Sequence, residues 1–300
     1  MMKTMNTNFE SYKVFYYVVK YHNFTLAARA LSTSQPSVTR CIKNLEYHLG
    51  CRLFIRSTKG VTLTPEGETL YRHVSPACEM IFKGEEALGS DLSLQSGSVC
   101  LGATETAIHC FLLEKLERFH LAYPHVGIRI ISDSTLPVLR DLKNGRIDLA
   151  VVTTPVAEGT RLKLKKIMEF RDVLVGGSSL VPPGHHRIRL CELAQYPLIS
   201  LSEATMTHRF YSEFYMKHGV PFQPDIELAT ADLLLPFIQR GLGVGFVPED
   251  LAKKALKDGS VVQLDLEEQI PTRSICIVRD PQNPLSAAAK QMLKVLTEEF

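Results

Sequence analysis

The sequence predicts a mixed α/β protein with a small helical module at its N-terminus, a long linker helix and a two-lobed α/β body. Three observations support this fold class. Residues 1–64 carry apolar side chains at helical spacing and then a short hairpin pattern. Residues 65–95 form one long amphipathic pattern. Residues 98–300 alternate strand-like and helix-like segments, as α/β proteins do.

Length and composition indicate an ordinary soluble protein of more than one domain. The 300 residues suit two or three domains, and 45% hydrophobic with 22% charged residues is typical of globular chains. The N-terminus has no apolar run long enough for a signal peptide. No stretch approaches the roughly 18 apolar residues of a membrane span. We therefore expect a cytoplasmic protein without a membrane partner.

The charge is distributed unevenly along the chain. Residues 1–64 carry a net charge of +7, residues 65–95 carry −4, and the remaining residues carry −1. A small basic module attached to a near-neutral body is typical of a nucleic-acid binder. A solvated basic face without a partner would look the same, so charge alone leaves both interpretations open.

The apolar pattern of the basic module predicts three helices. The first is predicted over "NFESYKVFYYVVKYHN", with Asn8 as its cap. The second lies in "NFTLAARALS" and is capped by Asn23 or Thr25. The third begins at Ser34 as N-cap with a proline in its first turn, and it ends at Gly50. Two helices joined by a tight polar turn form a helix-turn-helix pattern.

The outward face of the third helix carries side chains that suit a DNA major groove. Gln35 can pair with base edges, Arg40 can reach guanine or phosphate, and Pro36 can touch a thymine methyl group. Serine and threonine hydroxyls can bond phosphates, and the helix N-terminus adds free amides. The alternative is a polar helix face that simply lies in water.

A β-hairpin follows the third helix. Residues 53–55 and 61–63 are predicted as short strands around the turn "RSTKG". Arg56 and Lys59 lie near its tip, and basic residues on such a wing can enter a narrow minor groove.

At this point the sequence resembles a known family. The ordered set Ala27-Ala28, Leu31, Ser34-Gln35-Pro36-Ser37-Val38, Ile42, Leu45-Glu46, Leu49-Gly50, Leu53-Phe54, Arg56, Val61, Leu63-Thr64-Pro65 and Gly67 is similar to the winged helix-turn-helix of LysR-type transcriptional regulators. The resemblance implies binding to double-stranded DNA at an interrupted inverted repeat. The predicted DNA contacts are Thr25, Ser34, Gln35, Pro36, Ser37, Thr39, Arg40, Lys43, Arg56 and Lys59.

The linker helix is predicted to begin after Thr64, with Pro65 in its first turn. Apolar residues recur at a spacing close to 3.5, which is typical of a helix that packs on a partner helix. The predicted seam consists of Leu70, Val74, Ala77, Ile81 and Leu88. The resemblance implies a homodimer through this helix, paired further into a homotetramer. Pro76 lies inside the pattern and is expected to kink or interrupt the helix.

The C-terminal body resembles the regulatory half of the same family, which is built like type II periplasmic binding proteins. The predicted domains are residues 1–64 for DNA binding, 65–95 for the linker helix and hinge, and 96–300 for the regulatory body. Its first lobe is predicted over about residues 96–169 and 271–300, and its second over about 170–270.

In such a body a ligand binds between the lobes, at the carboxyl ends of strands. Hydroxyl groups follow several predicted strands and suit a small polar or carboxylate-bearing effector, although Glu105 could repel a carboxylate or favour an amine. The predicted effector contacts are Thr104, Glu105, Thr106, Thr153, Ser200, Ser202, Thr205, Thr230 and Phe246. For each residue alone, a local turn or cap is an equally good interpretation.

Other functional classes find little support in the sequence. The seven scattered cysteines include no CxxC, yet a redox pair of Cys100 and Cys110 stays open as an alternative signal. "GLGVGF" follows a helix and opens a strand, the reverse of a dinucleotide-binding motif. The adjacent His185 and His186 point opposite ways on an extended chain, so no metal site is predicted. No catalytic set stands out, and we expect neither an enzyme nor a cofactor.

These observations together predict a DNA-binding transcriptional regulator that responds to a small molecule bound between the lobes of its C-terminal body. Its expected partners are DNA, the effector, further copies of the chain and, by the resemblance, RNA polymerase.

Overall fold

The computed structural model describes residues 8–57, 60–88, 97–156, 161–181 and 186–298. The chain divides into two compact units, Met1–Glu85 and Glu86–Phe300. Each unit has its own hydrophobic core.

The first unit has the predicted winged helix-turn-helix architecture. Its elements are α1 (Phe9–Tyr21), α2 (Phe24–Ala30), α3 (Gln35–Leu49), β1 (Phe54–Ser57), β2 (Gly60–Leu63) and α4 (Pro65–Leu88), which ends beyond the unit.

Local capping sets the bounds of the first three helices. Asn8 caps α1, and the side chain of Asn23 accepts hydrogen bonds from two amides at the start of α2. Asn23 is therefore the cap of α2, and Thr25 donates its backbone N–H to it at 2.7 Å. Ser34 caps α3, and Gly50 ends it in the left-handed conformation with φ of 71°, which glycine adopts without strain.

The core of the first unit forms where the three helices meet the wing. Phe15, Ile42 and Leu45 are fully buried, and the rings of Phe15 and Phe54 pack with centroids 5.3 Å apart. Apolar spacing along α1 and α3 supplies this core and leaves the polar side of α3 in solvent.

The wing is an antiparallel pair in which Phe54 lies opposite Leu63 and Arg56 opposite Val61. β1 begins one residue later than predicted and continues through Ser57, so Arg56 belongs to a strand and not to the turn. Lys59 lies outside the described residues, and so does the side chain of Arg56.

The linker helix α4 is continuous from Pro65 to Leu88. Of the expected kink or interruption at Pro76, the interruption is wrong, because the residues on both sides of Pro76 are helical. A proline removes one backbone donor, whereas the flanking turns keep their own hydrogen bonds.

Two faces of α4 have different surroundings within the first unit. Val74 is only 7% exposed and packs in the core of that unit, and Leu70 packs against the same core. Val74 is thus unavailable to a partner helix, contrary to its place in the predicted seam. Ala77 and Ile81 are exposed, and the side chain of Leu88 lies outside the described residues.

The second unit contains eleven described strands and seven described helices. The strands are β3 (Ser98–Ala103), β4 (Gly127–Ser132), β5 (Leu149–Thr153), β6 (Lys163–Phe170), β7 (Asp172–Gly177), β8 (His186–Ile188), β9 (Ile199–Leu201), β10 (Ile226–Leu228), β11 (Val244–Pro248), β12 (Val261–Leu266) and β13 (Arg273–Arg279). The helices are α5 (Glu105–Ala107), α6 (Leu113–Ala122), α7 (Thr135–Lys143), α8 (Met206–Lys217), α9 (Leu234–Gln239), α10 (Glu249–Lys257) and α11 (Ala287–Thr297). A π-helical segment, Ile108–Leu112, joins α5 to α6.

The strands of the second unit form two lobes. In lobe 1 the strand order is β4-β3-β5-β13-β6. In lobe 2 the order is β11-β7-β12-β8, and the pair β10-β9 meets its edge through a bridge between Leu198 and Val244. The chain passes into lobe 2 at Arg171 and returns to lobe 1 between Leu266 and Arg273.

Both sheets are mixed, which departs from the expected mostly parallel arrangement. β3 runs parallel to β4 and β5, but β13 runs antiparallel to β5 and β6. In lobe 2, β7 is antiparallel to both of its neighbours. β7 and β13, the strands that directly follow the two crossings between lobes, run antiparallel to their neighbours. A parallel neighbour would require a crossover connection through a helix, and the chain passes between the lobes without such a helix.

Candidate nucleic-acid interface and interlobe site

The polar side of α3 is the candidate nucleic-acid interface. Gln35 donates from Nε2 to Oγ1 of Thr39 at 3.0 Å, and the hydroxyls of Ser34 and Ser37 are 2.8 Å apart. These bonds hold short polar side chains in order along the exposed first turn. The predicted contacts exposed on α2 and α3 are Thr25, Ser34, Gln35, Pro36, Ser37, Arg40 and Lys43, and Thr39 is half-buried.

Sequence reasoning missed a large exposed aromatic on the same surface. Tyr47 is 84% exposed on α3. It lies one helical turn after Lys43, in the row that also contains Pro36 and Arg40, because helix positions three and four apart share a face. The spacing of these residues in the sequence could have revealed it.

The acid of α3 does not oppose this basic surface. Oε1 of Glu46 accepts the backbone N–H groups of Leu53 and Phe54 at 2.7 and 3.3 Å. Glu46 therefore joins the end of α3 to the start of the wing. Its carboxylate is occupied by the protein's own backbone, and the exposed row keeps its positive charge.

The second site lies between the lobes of the second unit. Thr104, Thr106, Thr153 and Thr205 line one small cavity of about 20 Å³ together with Glu105. The structure thus brings five of the predicted effector contacts together. Their positions follow from the carboxyl ends of β3 and β5 and from the start of α8.

Four other predicted contacts lie elsewhere. Ser200 is buried within β9 and does not line either interlobe cavity. Ser202 accepts the Thr205 hydroxyl through its backbone carbonyl at 2.9 Å, and Thr230 is half-buried outside both cavities. Phe246 lines a larger neighbouring cavity.

Two features of the small cavity bear on its chemistry. Thr104 Oγ1 is buried and has no hydrogen-bond partner among the described residues, so it does not cap α5. Glu105 is half-buried and accepts the Ser132 hydroxyl at 3.1 Å. The Glu105 carboxylate accepts hydrogen bonds and the Thr104 hydroxyl has no partner, so together they favour a ligand that donates hydrogen bonds.

The larger interlobe cavity has a volume of about 390 Å³. Thr106 and His109 of lobe 1 face leucines of α9 and α10 across it. His109 Nε2 lies 3.2 Å from Oδ1 of Asp232, and this pair joins the two lobes at the cavity.

A buried ion pair lies beside this cavity, where the chain crosses between lobes. Arg273 begins β13 and Asp172 begins β7, and their side chains are 3.0 Å apart with only 3% and 1% exposed. Tyr211 donates its hydroxyl to the same carboxylate oxygen at 2.5 Å. Arg273 also donates to Thr153 and Thr207 and to the carbonyl of Thr154.

Aromatic rings enclose this pair. The Arg273 guanidinium lies 5.2 Å from the Phe170 ring centroid and 5.3 Å from that of Phe210. Tyr211 stacks on Phe246 with centroids 4.3 Å apart. Sequence reasoning missed Asp172, Arg273 and Tyr211. The available signal was a charged residue at the first position of the strand that follows each crossing between lobes, Asp172 in "FRDV" and Arg273 in "PTRSI".

The cysteines of the second unit show no sign of a reactive thiol pair. None of the seven cysteines is in a disulfide. Burial, followed by the charges of Asp250 and Asp172, raises the pKa of Cys110 to about 11. A raised pKa keeps the thiol protonated and slow to react.

The described residues contain no group of three or more histidine, cysteine or acidic side chains placed to hold a metal ion. In the same part of the chain, no helix is both long and apolar enough to cross a membrane. His185 and the side chain of His186 lie outside the described residues.

Comparison with known families accounts for both units. A model described as a bacterial regulatory helix-turn-helix protein of the lysR family matches residues 9–68, and the LysR substrate binding domain matches residues 93–300. The chain belongs to the LysR family of transcriptional regulators. The predicted family and its DNA-binding and substrate-binding halves are thus confirmed, and this family is one of regulators and not of enzymes.

Individual relatives are distant in sequence but match more than nine-tenths of this LysR-family chain. A probable RuBisCO transcriptional regulator of Guillardia theta is 27% identical over 287 residues, which are 93% of this chain and 91% of that protein. The HTH-type transcriptional regulator YofA of Bacillus velezensis (strain DSM 23117 / BGSC 10A6 / LMG 26770 / FZB42) is 24% identical, covering 95% of this chain and 96% of its own.

Solved structures share the fold. A probable transcriptional regulator from Pseudomonas aeruginosa superposes with a TM-score of 0.72 at 18% identity, covering 96% of both chains. Full-length CbnR in complex with its target DNA gives a TM-score of 0.68 at 17% identity, covering 96% of this chain and 98% of that one.

Proposed function

We propose that this LysR-type regulator binds an interrupted inverted repeat as a homodimer and recognises bases with α3. We further propose that its affinity for DNA changes when a small molecule binds between the lobes. The exposed polar row of α3 carries the proposal, because its side chains match the donors and acceptors of a major groove. We also propose that two dimers pair into a homotetramer and that the bound protein contacts RNA polymerase. The proposed domain boundaries are those predicted from the sequence.

The roles of the α3 side chains differ. Gln35 is placed at the first residue of the helix, where a side chain can reach base edges. Lys43 lies two turns further on and is exposed, so it suits a phosphate of the backbone. In this proposal Gln35 sets base specificity and Lys43 sets overall affinity for DNA.

Substitution of these two residues tests the interface. Gln35→Ala should relax base preference at one position of each half-site by about 1–3 kcal/mol. Lys43→Ala should weaken binding to all sequences alike and lower the slope of log affinity against log salt by about one. The measurement is DNA binding to a site and its single-base variants at several salt concentrations.

An exposed lysine of the second unit provides the control. Lys257→Ala on α10 removes one positive charge as well and should leave the salt slope unchanged. If Gln35→Ala keeps the full base preference of the native chain, α3 is not the reading element.

The interlobe threonines are the second part of the proposal. Thr104, Thr153 and Thr205 present hydroxyls at the carboxyl ends of strands and at a helix start, the common place for a ligand in α/β lobes. The cavity that these threonines line has a volume of only about 20 Å³, so the body of an effector would lie in the larger cavity beside it, which Thr106 also lines.

The redox alternative is less well supported. Cys100 lies on β3, and Cys110 lies in the π-helical segment. The raised pKa of Cys110 opposes thiolate chemistry near neutral pH, and peroxide sensing requires a reactive thiolate. We therefore favour control by a bound small molecule.

A further inference from the structure

The larger interlobe cavity has the dimensions of a ligand pocket. Its volume of about 390 Å³ lies within the range of roughly 300–1,000 Å³ usual for small-molecule sites. Leu201, Leu234, Leu235, Val247 and Leu251 provide an apolar wall. This wall suits a ring or a branched aliphatic body more than a small hydroxy acid.

The charged groups at this cavity disfavour an anion. Among its described lining residues, the cations are Arg273 and, when protonated, His109. Arg273 is committed to Asp172, to two threonine hydroxyls and to a carbonyl. His109 is paired with Asp232. A ligand carboxylate would meet two aspartates there, with both cations already occupied.

One buried acceptor at the cavity has no partner. Asp172 is a lining residue whose side chain is 1% exposed, and its Oδ2 accepts from Arg273 and Tyr211. Its Oδ1 is buried without a hydrogen-bond partner among the described residues. A buried carboxylate oxygen without a donor is costly, so a donor supplied by a ligand would be stabilising.

We infer that this regulator senses an apolar small molecule that carries a hydrogen-bond donor and no negative charge, such as an aromatic amine or alcohol, bound in the cavity between Leu235 and Asp172. The inference rests on the proposed effector control and specifies the chemical class of the effector. Of the effectors that the sequence left open, it excludes the carboxylate-bearing one and keeps the amine that Glu105 could favour. Because both lobes line the cavity, such a ligand contacts both and favours one relative placement of them.

A matched ligand series tests the charge requirement. Tryptamine, tryptophol and indole-3-acetate share an indole ring with a short side chain and differ in carrying a positive, a neutral or a negative head group. We expect tryptamine and tryptophol to bind the full-length chain at least about ten-fold more tightly than indole-3-acetate. Titration calorimetry measures the three dissociation constants. The chain contains no tryptophan, so the indole emission of the ligand gives a second readout without tryptophan emission from the native protein.

Paired tryptophan substitutions locate the site. Leu235 lines the cavity, whereas the neighbouring Leu233 is 41% exposed and does not. Leu235→Trp should fill the space and weaken tryptamine binding at least about ten-fold. Leu233→Trp should leave it within about two-fold of the native value. Asp232→Asn removes one negative charge at the cavity and should narrow the difference in affinity between tryptamine and indole-3-acetate.

Three results would overturn the inference: tighter binding of indole-3-acetate, equal effects of the two tryptophan variants, or no binding of any member of the series at about 1 mM. Each of these concerns ligand binding alone and leaves DNA recognition by α3 intact. Conversely, ligand binding without any change in DNA affinity would leave the cavity assignment standing and contradict the proposed effector control.

Discussion

Tyr211 and Tyr215 lie one turn apart on α8 and are equally buried, at 3% exposure each. Their hydroxyls differ in one respect. Tyr211 donates to Asp172, whereas the Tyr215 hydroxyl has no partner among the described residues. Burial raises the pKa of both phenols, so each is neutral at physiological pH.

Phenylalanine substitutions should separate the two residues. Tyr211→Phe removes a hydrogen bond to a buried carboxylate and should lower the free energy of unfolding by about 2 kcal/mol. Tyr215→Phe removes an unpaired hydroxyl and should be neutral or stabilising by up to about 1 kcal/mol. Urea denaturation of both variants measures the difference. Equal losses would mean that the contact with Asp172 contributes nothing to stability.

Cys110 is a second residue whose surroundings decide its chemistry. With a pKa of about 11, about one molecule in a thousand carries the thiolate at pH 8. We expect iodoacetamide to modify Cys110 slowly at pH 8 and about ten-fold faster per unit of pH up to about 11. Peptide mass spectrometry follows the modification residue by residue.

The same shift affects stability. The pKa of Cys110 is raised in the folded state, so the unfolded chain loses this proton first as pH rises. The contribution of the protonated Cys110 thiol to the free energy of unfolding is complete below the ordinary thiol pKa, and it is lost as pH rises toward 11. The exposed Cys191 is the reference for reagent access, and faster modification of Cys110 than of Cys191 at pH 8 would restore the redox alternative.

At the scale of elements, α4 contains two glycines with opposite roles. A Cβ at Gly67 would lie 2.2 Å from the backbone oxygen of Leu53, and Gly67 also donates its N–H to the Thr64 hydroxyl at 3.0 Å. This close approach places the start of α4 against the wing. A Cβ at Gly84 meets nothing within 4 Å, so the structure does not require a glycine there.

Alanine substitutions of these glycines should change stability in opposite directions. Gly67→Ala places a methyl group against the backbone of Leu53, so the start of α4 and the wing must move apart. We expect the first unit to lose about 3 kcal/mol of stability. Gly84→Ala should stabilise α4 by about 0.5–1 kcal/mol, because alanine loses less backbone entropy in a helix. Thermal unfolding followed by circular dichroism compares the two, and a Gly67→Ala variant as stable as the native chain would exclude the close approach.

At the scale of the whole molecule, the charges and the exposed face of α4 suggest how copies assemble on DNA. The first 64 residues carry +7, whereas the rest of the chain is slightly acidic. Two basic modules held by one linker contact bind an inverted repeat far more tightly than one module does. Ile81 and Met80 are 41% and 42% exposed on α4 and are available for that contact.

A charge in the proposed seam should disrupt the dimer. Ile81→Glu would bury an unpaired carboxylate between helices, and we expect the dimer dissociation constant to rise about 100-fold. Light scattering coupled to gel filtration measures the mass across a concentration series. Met216→Glu introduces the same charge at a 71% exposed position of α8 and should leave the mass unchanged. A persistent dimer in Ile81→Glu would place the interface elsewhere.

The sequence by itself determined the winged helix-turn-helix and most elements of the α/β body. Caps and apolar periods act over a few residues, so Ser34 and Gly50 predicted the bounds of α3 directly. The same local signals predicted the hydroxyl groups of Thr104, Thr153 and Thr205 at the ends of strands or the start of a helix. Strands β6, β8 and β12 and helix α10 were missed, since their short polar-rich patterns resemble surface loops.

Only the tertiary structure decided which distant residues meet. Asp172 and Arg273 are 101 positions apart, and no spacing rule links them. The seam of α4 shows the same limit, because one apolar period can serve either the unit's own core or a partner, and packing assigned Val74 to the core. Likewise, no single segment determines the apolar cavity at the lobe interface. It arises where α9 and α10 face the start of α5 and the π-helical segment, which requires both lobes to be folded.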